Sequence, residues 1–218
     1  MNGTVRSRAV LCVAALTLSA ASIGAPIVSA SSPVVIVRTY NTYGVGDGEM
    51  QTAARTLHGL LSAVAIAIRW RTCRVAGRTS MADACAEPVA ANELIVRLVE
   101  STGVQTESTT LGDAFIDPVS KSGSLATIYV DRVDALSHSV DVDRGLLLGR
   151  AVAHEVGHLL LGTPLHSGFG LMRGYWSVRT IVDNQTSDWA FSHEQGVVMQ
   201  AAVAMRMRAA AAQLSAGR

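Results

Sequence analysis

The segment HEVGHLLLGTPLH, residues 154–166, is the most informative part of the chain. It completes a mostly apolar run that predicts one long helix over residues 141–161. Asp141 or Asp143 can cap the first turn of this helix, and Gly162, two residues before a proline, ends it. The rest of the chain is therefore expected to pack around this helix.

His154 and His158 are four residues apart, so on a helix both imidazoles project from one face, about one turn apart. That spacing lets two histidine nitrogens reach one zinc ion at about 2.1 Å each. Glu155 lies beside the first histidine, where a carboxylate can reach a water molecule that the metal activates. The pattern predicts His154 and His158 as metal ligands and Glu155 as general base.

A catalytic zinc ion normally has three protein ligands. His166 follows His158 by eight residues, on the chain that returns after Gly162, and we predict that it is the third. Glu194, in the last predicted helix, is the alternative and would complete a site of two histidines and one glutamate. His193 is a weaker alternative, because it is expected at a solvated helix cap.

Other segments predict a mixed sheet with helices packed on it. Alternating or β-branched apolar runs predict strands, and apolar positions three or four apart predict helices. The strands are expected over residues 34–40, 66–71, 93–100, 114–117 and 126–133, and further helices over 49–63 and 192–214. The fold class is therefore α+β, with about five strands.

The first thirty residues have the pattern of a secretory signal peptide. Arg6 and Arg8 precede an apolar run over residues 10–18, and residues 28–30 (Val-Ser-Ala) offer a small-residue cleavage site. An uncleaved anchor is the alternative. We expect residues 31–218 to form one domain that is secreted or periplasmic, without stable membrane insertion.

Three cysteines are present, and Cys12 falls within the predicted signal peptide. Cys73 and Cys85 remain as an even pair in an exported protein, which predicts a disulfide between them. The alternative is two unpaired thiols.

Composition argues against nucleic acid as a partner. The formal net charge is +1, and no basic stripe with interleaved aromatic residues occurs. His58 and His138 have no partner at ligand spacing, so we interpret them as structural or surface residues. We expect a monomer.

HEVGHLLLGTPLH, with GLMRGYW at residues 170–176, resembles the metzincin clan of zinc metallopeptidases. The resemblance implies a single peptidase domain with one catalytic Zn²⁺ and a peptide or protein substrate. It also implies that the active-site helix leads to a methionine-containing turn and a C-terminal helix. Met172 would then form the floor of the metal site.

The sequence departs from the clan's usual pattern in the spacing after the second histidine. Leu161 stands where glycine is usual, Gly162 comes one position later, and His166 is displaced by two residues. The loop to His166 must therefore be longer than in the clan. Tyr175 comes three residues after Met172 rather than two, so the resemblance assigns it no role.

These features predict a zinc-dependent endopeptidase. Two alternatives remain: a non-catalytic zinc-binding scaffold with the same fold, and a peptidase that uses Glu194 as its third ligand. The substrate's identity is not encoded in any recognisable pattern, although an edge strand before Val140 would suit peptide binding by strand addition.

Overall fold

The computed structural model describes residues 34–73, 85–102 and 110–216. The predicted signal peptide lies outside these residues. The described elements are the strands β1 (Val34–Asn41), β2 (Ala67–Cys73), β3 (Glu93–Val99), β4 (Gly112–Asp117) and β5 (Ser122–Tyr129), and the helices α1 (Asp47–Ser62), α2 (Val130–Val140), α3 (Arg144–Leu161), α4 (Val178–Asp183) and α5 (His193–Ala216), with a short 3₁₀ turn at Thr186–Trp189.

The strands form one five-stranded mixed sheet in the order β2-β1-β3-β5-β4. Strand β1 runs parallel to β2 and β3, and β3 runs parallel to β5, whereas β4 pairs antiparallel with β5. The predicted α+β class and the predicted five strands are confirmed. Strand β4 forms one edge of the sheet, next to the helix that carries the histidines.

Helix α3 lies in the centre of the core. Every residue from Leu147 to Leu160 is buried, although the stretch includes one arginine, one glutamate and two histidines. An element surrounded on all sides must bring its polar side chains to an internal partner or to a cavity. On a surface helix these polar side chains could face water. On α3 they are buried, so each must have a partner inside the protein or face a cavity.

The prediction of one helix over residues 141–161 was wrong at its start. Asp141 ends α2 in the left-handed conformation, with φ of 53°, and Asp143 is the N-cap of α3 through a hydrogen bond from the Leu146 amide at 2.6 Å. The predicted strand over residues 126–133 was also too long, because α2 begins at Val130. The β-branched residues Val130 and Val133 face the core at helical spacing.

Cys73 and Cys85 form the predicted disulfide. It joins the end of β2 to the segment that leads into β3. Arg38 of β1 supports the same segment, because it donates a hydrogen bond to the carbonyl of Glu87 at 2.8 Å and pairs with the buried carboxylate of Glu93. In the part of the chain that the structure describes, no helix is both long enough and apolar enough to span a membrane.

Helix α1 packs closely against α3 through Gly145 and Gly149. A Cβ atom at Gly149 would lie 2.6 Å from the Cβ of Thr56 and 2.7 Å from the carbonyl oxygen of Ala53. The Ala53 carbonyl belongs to the backbone and the Thr56 Cβ is a branched carbon, so neither atom can move away easily. The two helices can approach this closely only because these two positions lack a side chain.

Replacing Gly149 with alanine should therefore destabilise the protein by about 1–3 kcal/mol through overpacking, despite the better helix propensity of alanine. Gly59→Ala is the matched control, because Gly59 is exposed in α1 and a Cβ there meets nothing within 4 Å. That control should be neutral or stabilising by up to about 1 kcal/mol. Urea unfolding measures both, and equal effects would contradict the packing argument.

Candidate metal centre

His154 and His158 lie one turn apart on α3, and both are buried. The Nδ1 of His154 is 2.8 Å from the carbonyl oxygen of Leu171, and the Nδ1 of His158 is 2.8 Å from the carbonyl oxygen of Thr163. A carbonyl oxygen only accepts hydrogen bonds, so each Nδ1 carries the proton and donates. Each Nε2 therefore presents a lone pair.

The two Nε2 atoms lie 3.1 Å apart. With both Nδ1 atoms protonated, neither Nε2 has a proton to donate to the other, and two facing lone pairs repel. A shared cation removes this repulsion: tetrahedral zinc with bonds of about 2.1 Å separates its ligand nitrogens by about 3.4 Å. The positions of these two imidazoles therefore fit a zinc ion.

Burial keeps both imidazoles neutral. It lowers the pKa of His154 to about 4, and it lowers the pKa of His158 as well. Neutral imidazole is the form that binds metal. Near neutral pH no proton therefore has to leave these rings before an ion can enter.

His166 joins the pair from the loop after α3, as predicted. Its exposed ring is 5.2 Å from the ring of His154 and 4.9 Å from that of His158, centroid to centroid. One ligand atom from each of the three histidines lies within 4.8 Å of the others, so the group could hold a metal ion. The longer loop inferred from the sequence does bring the third imidazole back to the other two.

The alternative ligand Glu194 is not brought to the histidines. Its carboxylate is exposed at the start of α5 and accepts a hydrogen bond from the Ser192 hydroxyl at 2.8 Å, and His193 precedes it there. The remaining two histidines have local partners: the Nδ1 of His58 is 3.4 Å from the hydroxyl of Ser62, and that of His138 is 2.7 Å from the Asp134 carbonyl.

Met172 is completely buried against α3. A Cβ atom at Gly157 would lie 2.5 Å from its sulfur, so the thioether packs directly on the helix at the residue before His158. The turn that carries Met172 is joined to the loop of His166, because the Ser167 amide donates to the Met172 carbonyl at 2.8 Å. Its role as the floor of a metal site remains a prediction.

Glu155 points toward β4. Its Cγ would be 2.9 Å from a Cβ at Gly112, so the absence of a side chain there makes room for it. Burial, with a smaller contribution from the charge of Asp113, raises the pKa of Glu155 to about 8. Among the described residues, no hydrogen-bond donor contacts its carboxylate.

A cavity of about 530 Å³ joins these groups. The three histidines and Glu155 line it together with the edge strand β4 and the segment after Met172, which includes the exposed Tyr175. A metal ion, a water molecule and part of a substrate could therefore meet there. The shared cavity makes the arrangement an open site, in contrast to a closed structural zinc site.

Sequence reasoning missed several residues that shape this site. Gly112 and Gly174 matter because the absence of a side chain leaves space for Glu155 and His166. A glycine inside a strand is a general sign of close approach by another group, so it could have indicated Gly112. The carbonyls of Thr163 and Leu171 orient the imidazoles, but backbone groups leave no mark in a sequence pattern. Trp176, whose indole donates to the Leu171 carbonyl at 3.3 Å, was also missed.

No family model and no curated protein matches the sequence. Several solved structures are similar to the chain, including the following two. Metalloproteinase-II from Bacteroides fragilis is 12% identical with a TM-score of 0.47, and the match covers 78% of this chain but only 53% of that one. Archaemetzincin from Methanopyrus kandleri is 13% identical with a TM-score of 0.47, over 78% of this chain and 96% of that one.

The first neighbour is by its name a metalloproteinase, and the second is by its name an archaemetzincin. The chain spans about half the length of the Bacteroides protein. The geometry of the histidines and Glu155, rather than this distant similarity, therefore carries the functional conclusion.

His166→Ala should weaken zinc binding by more than the roughly 10- to 100-fold that loss of an outer-shell partner costs, because it removes one of the three predicted protein ligands. Glu194→Ala should leave the affinity unchanged, since that carboxylate lies at a helix cap. Competition with a chromophoric chelator measures both. Loss of zinc from the Glu194 variant alone would reverse the assignment of the third ligand.

Gly174→Ala should also weaken zinc binding, by roughly tenfold, without unfolding the protein. A Cβ there would lie 3.0 Å from the Cγ of His166 and would push the exposed ring away from its partners. Gly168→Ala is the matched control in the same loop, because nothing lies within 4 Å of its Cβ position. Chelator competition should separate the two variants, and equal affinities would contradict this role of Gly174.

Proposed function

We propose that this chain is a zinc-dependent endopeptidase in which His154, His158 and His166 bind the metal and Glu155 is the general base. The observation that carries the proposal is the pair of inward-facing Nε2 atoms 3.1 Å apart, with both Nδ1 protons committed to carbonyls. The catalytic domain would be residues 31–218, exported by a signal peptide at residues 1–30.

Zinc held by the three imidazoles would polarise the scissile carbonyl and lower the pKa of a water molecule toward 7. Glu155 would take the proton from that water and deliver it to the leaving amine. Its carboxylate is suited to this work because it faces the same cavity as the histidines and has no hydrogen-bond donor among the described residues. A purely structural carboxylate would be expected to have such a partner.

An extended peptide is the substrate that the cavity suits best. Among the described strands, β4 pairs with β5 alone, so within this part of the chain its other edge is open. Residues 110–114, at and before the start of β4, line the cavity. A peptide added to this edge as a further strand would pass beside Glu155 and the histidines. An open edge also accepts the middle of a chain, in keeping with an endopeptidase.

The competing proposal is a non-catalytic zinc-binding scaffold. It accounts for the three histidines but not for Glu155, whose side chain lines the same cavity and has no part in holding the metal of a scaffold. The enzyme is therefore the better explanation, and activity of the purified protein decides between them. A monomeric state remains a prediction, which light scattering can test.

Glu155→Gln should lower peptide hydrolysis by about 10²–10⁴-fold and leave the zinc content at one per chain, because the amide cannot take the proton and does not bind the metal. Cleavage of a peptide library, followed by mass spectrometry, measures the loss. Glu194→Gln, an exposed change away from the cavity, should keep full activity. Full activity in the Glu155 variant would rule out this mechanism, and zinc binding without any hydrolysis by the parent would favour the scaffold.

A further inference from the structure

Trp176 and His154 donate hydrogen bonds to the same backbone carbonyl group. The Nε1 of the Trp176 indole donates a hydrogen bond to the carbonyl oxygen of Leu171 at 3.3 Å. The same oxygen accepts the hydrogen bond from the Nδ1 of His154 at 2.8 Å. A carbonyl oxygen has two lone pairs, and here both are used, so the direction in which this carbonyl points is set by two donors.

The indole ring also packs against the imidazole. The rings of Trp176 and His154 meet edge to face, with centroids 5.7 Å apart and an angle of 82°. His158 and His166 are the other two rings beside His154, at 4.7 and 5.2 Å. Trp176 is therefore the one neighbouring ring among these three that is not itself a proposed ligand.

A second tryptophan supports Trp176. The rings of Trp189 and Trp176 meet edge to face at 5.1 Å, and the guanidinium carbon of Arg150 lies 3.7 Å from the centroid of Trp189. Arg150 precedes His154 by one turn of α3. Trp189 and Trp176 therefore form a bridge of ring contacts between two successive turns of α3, from Arg150 to His154.

Arg150 is buried, and within the described residues no carboxylate pairs with it; it donates to the side-chain oxygen of Asn184. Burial lowers its pKa to about 10, so it is still a cation near neutral pH. A buried cation without an anion is costly, and the face of Trp189 offsets part of that cost. The guanidinium of Arg150 therefore supports the Trp189 ring that meets Trp176 edge to face.

We propose that Trp176 is a positioning residue that holds His154 in the tautomer and ring orientation that present its Nε2 to the metal. Trp189 and Arg150 keep the Trp176 ring in place. This inference depends on the proposed zinc site and deepens it. Loss of an outer-shell partner costs about 10- to 100-fold in metal affinity, and Trp176 acts on His154 through one intervening carbonyl, so a reduction of about tenfold is expected.

The test compares Trp176→Phe with Trp189→Phe. Both substitutions keep an aromatic ring and remove an indole N–H. The Nε1 of Trp189 is buried and has no hydrogen-bond partner among the described residues, whereas that of Trp176 donates to the Leu171 carbonyl. Trp189→Phe therefore controls for the change in packing, and a difference between the variants reports the hydrogen bond.

Three measurements are made on the parent and both variants. Chelator competition gives the affinities for zinc and for cobalt(II), the visible spectrum of the cobalt(II) protein reports the geometry of the ligands, and thermal unfolding of the metal-free protein reports stability. Trp176→Phe should lose about tenfold in affinity and change the cobalt spectrum. Trp189→Phe weakens the support of the Trp176 ring but removes no hydrogen bond to the Leu171 carbonyl, so it should lose clearly less affinity than Trp176→Phe. Equal losses in the two variants would contradict the role of that hydrogen bond.

Equal affinities and equal cobalt spectra for the parent and Trp176→Phe would overturn this proposal alone. Absence of metal binding by the parent would overturn the proposed zinc site together with it. One further result does not depend on how the variants fold: the ¹⁵N shifts of His154 in the metal-free parent should report a proton on Nδ1. A proton on Nε2 would contradict the proposal.

Discussion

Two hydrogen bonds from imidazole to backbone determine what this molecule can do. By accepting the Nδ1 protons of His154 and His158, the carbonyls of Leu171 and Thr163 turn both Nε2 lone pairs toward the same point. Each carbonyl belongs to a segment that follows α3, so the site depends on how the chain returns after the helix ends. In the proposed site, the histidines on α3 would supply two ligand atoms, and the returning chain determines the direction in which their rings face.

Burial of α3 sets the chemical state of the side chains in the candidate site. A helix covered on all sides holds its histidines neutral and its glutamate against the neighbouring strand. The close approach of its neighbours depends on glycines: Gly149 admits α1, Gly157 admits Met172, and Gly112 admits Glu155. Stability and function therefore place demands on the same helix, and several of its polar groups are tolerated only because they face the cavity or one another.

Much of the fold followed from local patterns. The strands and the long helix were predicted because periodicity and capping act over a few residues. The start of α5 is equally local, since Ser192 and Gln195 exchange hydrogen bonds there. The errors occurred where a local pattern had two interpretations. Val130 and Val133 suit a strand as well as a helix, and Asp141 and Asp143 were equal as caps until the left-handed turn at Asp141 separated α2 from α3.

The sequence by itself determined which residues could do chemistry here: an HExxH spacing on a helix, a third histidine after a glycine turn, and an even pair of cysteines. Those signals are local because ligand spacing follows from the helical repeat. The three-dimensional arrangement was needed to show that His166 rather than Glu194 meets the pair, that β4 is an edge strand beside Glu155, and that Trp176 shares a carbonyl with His154. Contacts of this kind join residues far apart in the chain, and they depend on backbone carbonyls and on the space left by glycines, which no spacing of side chains encodes.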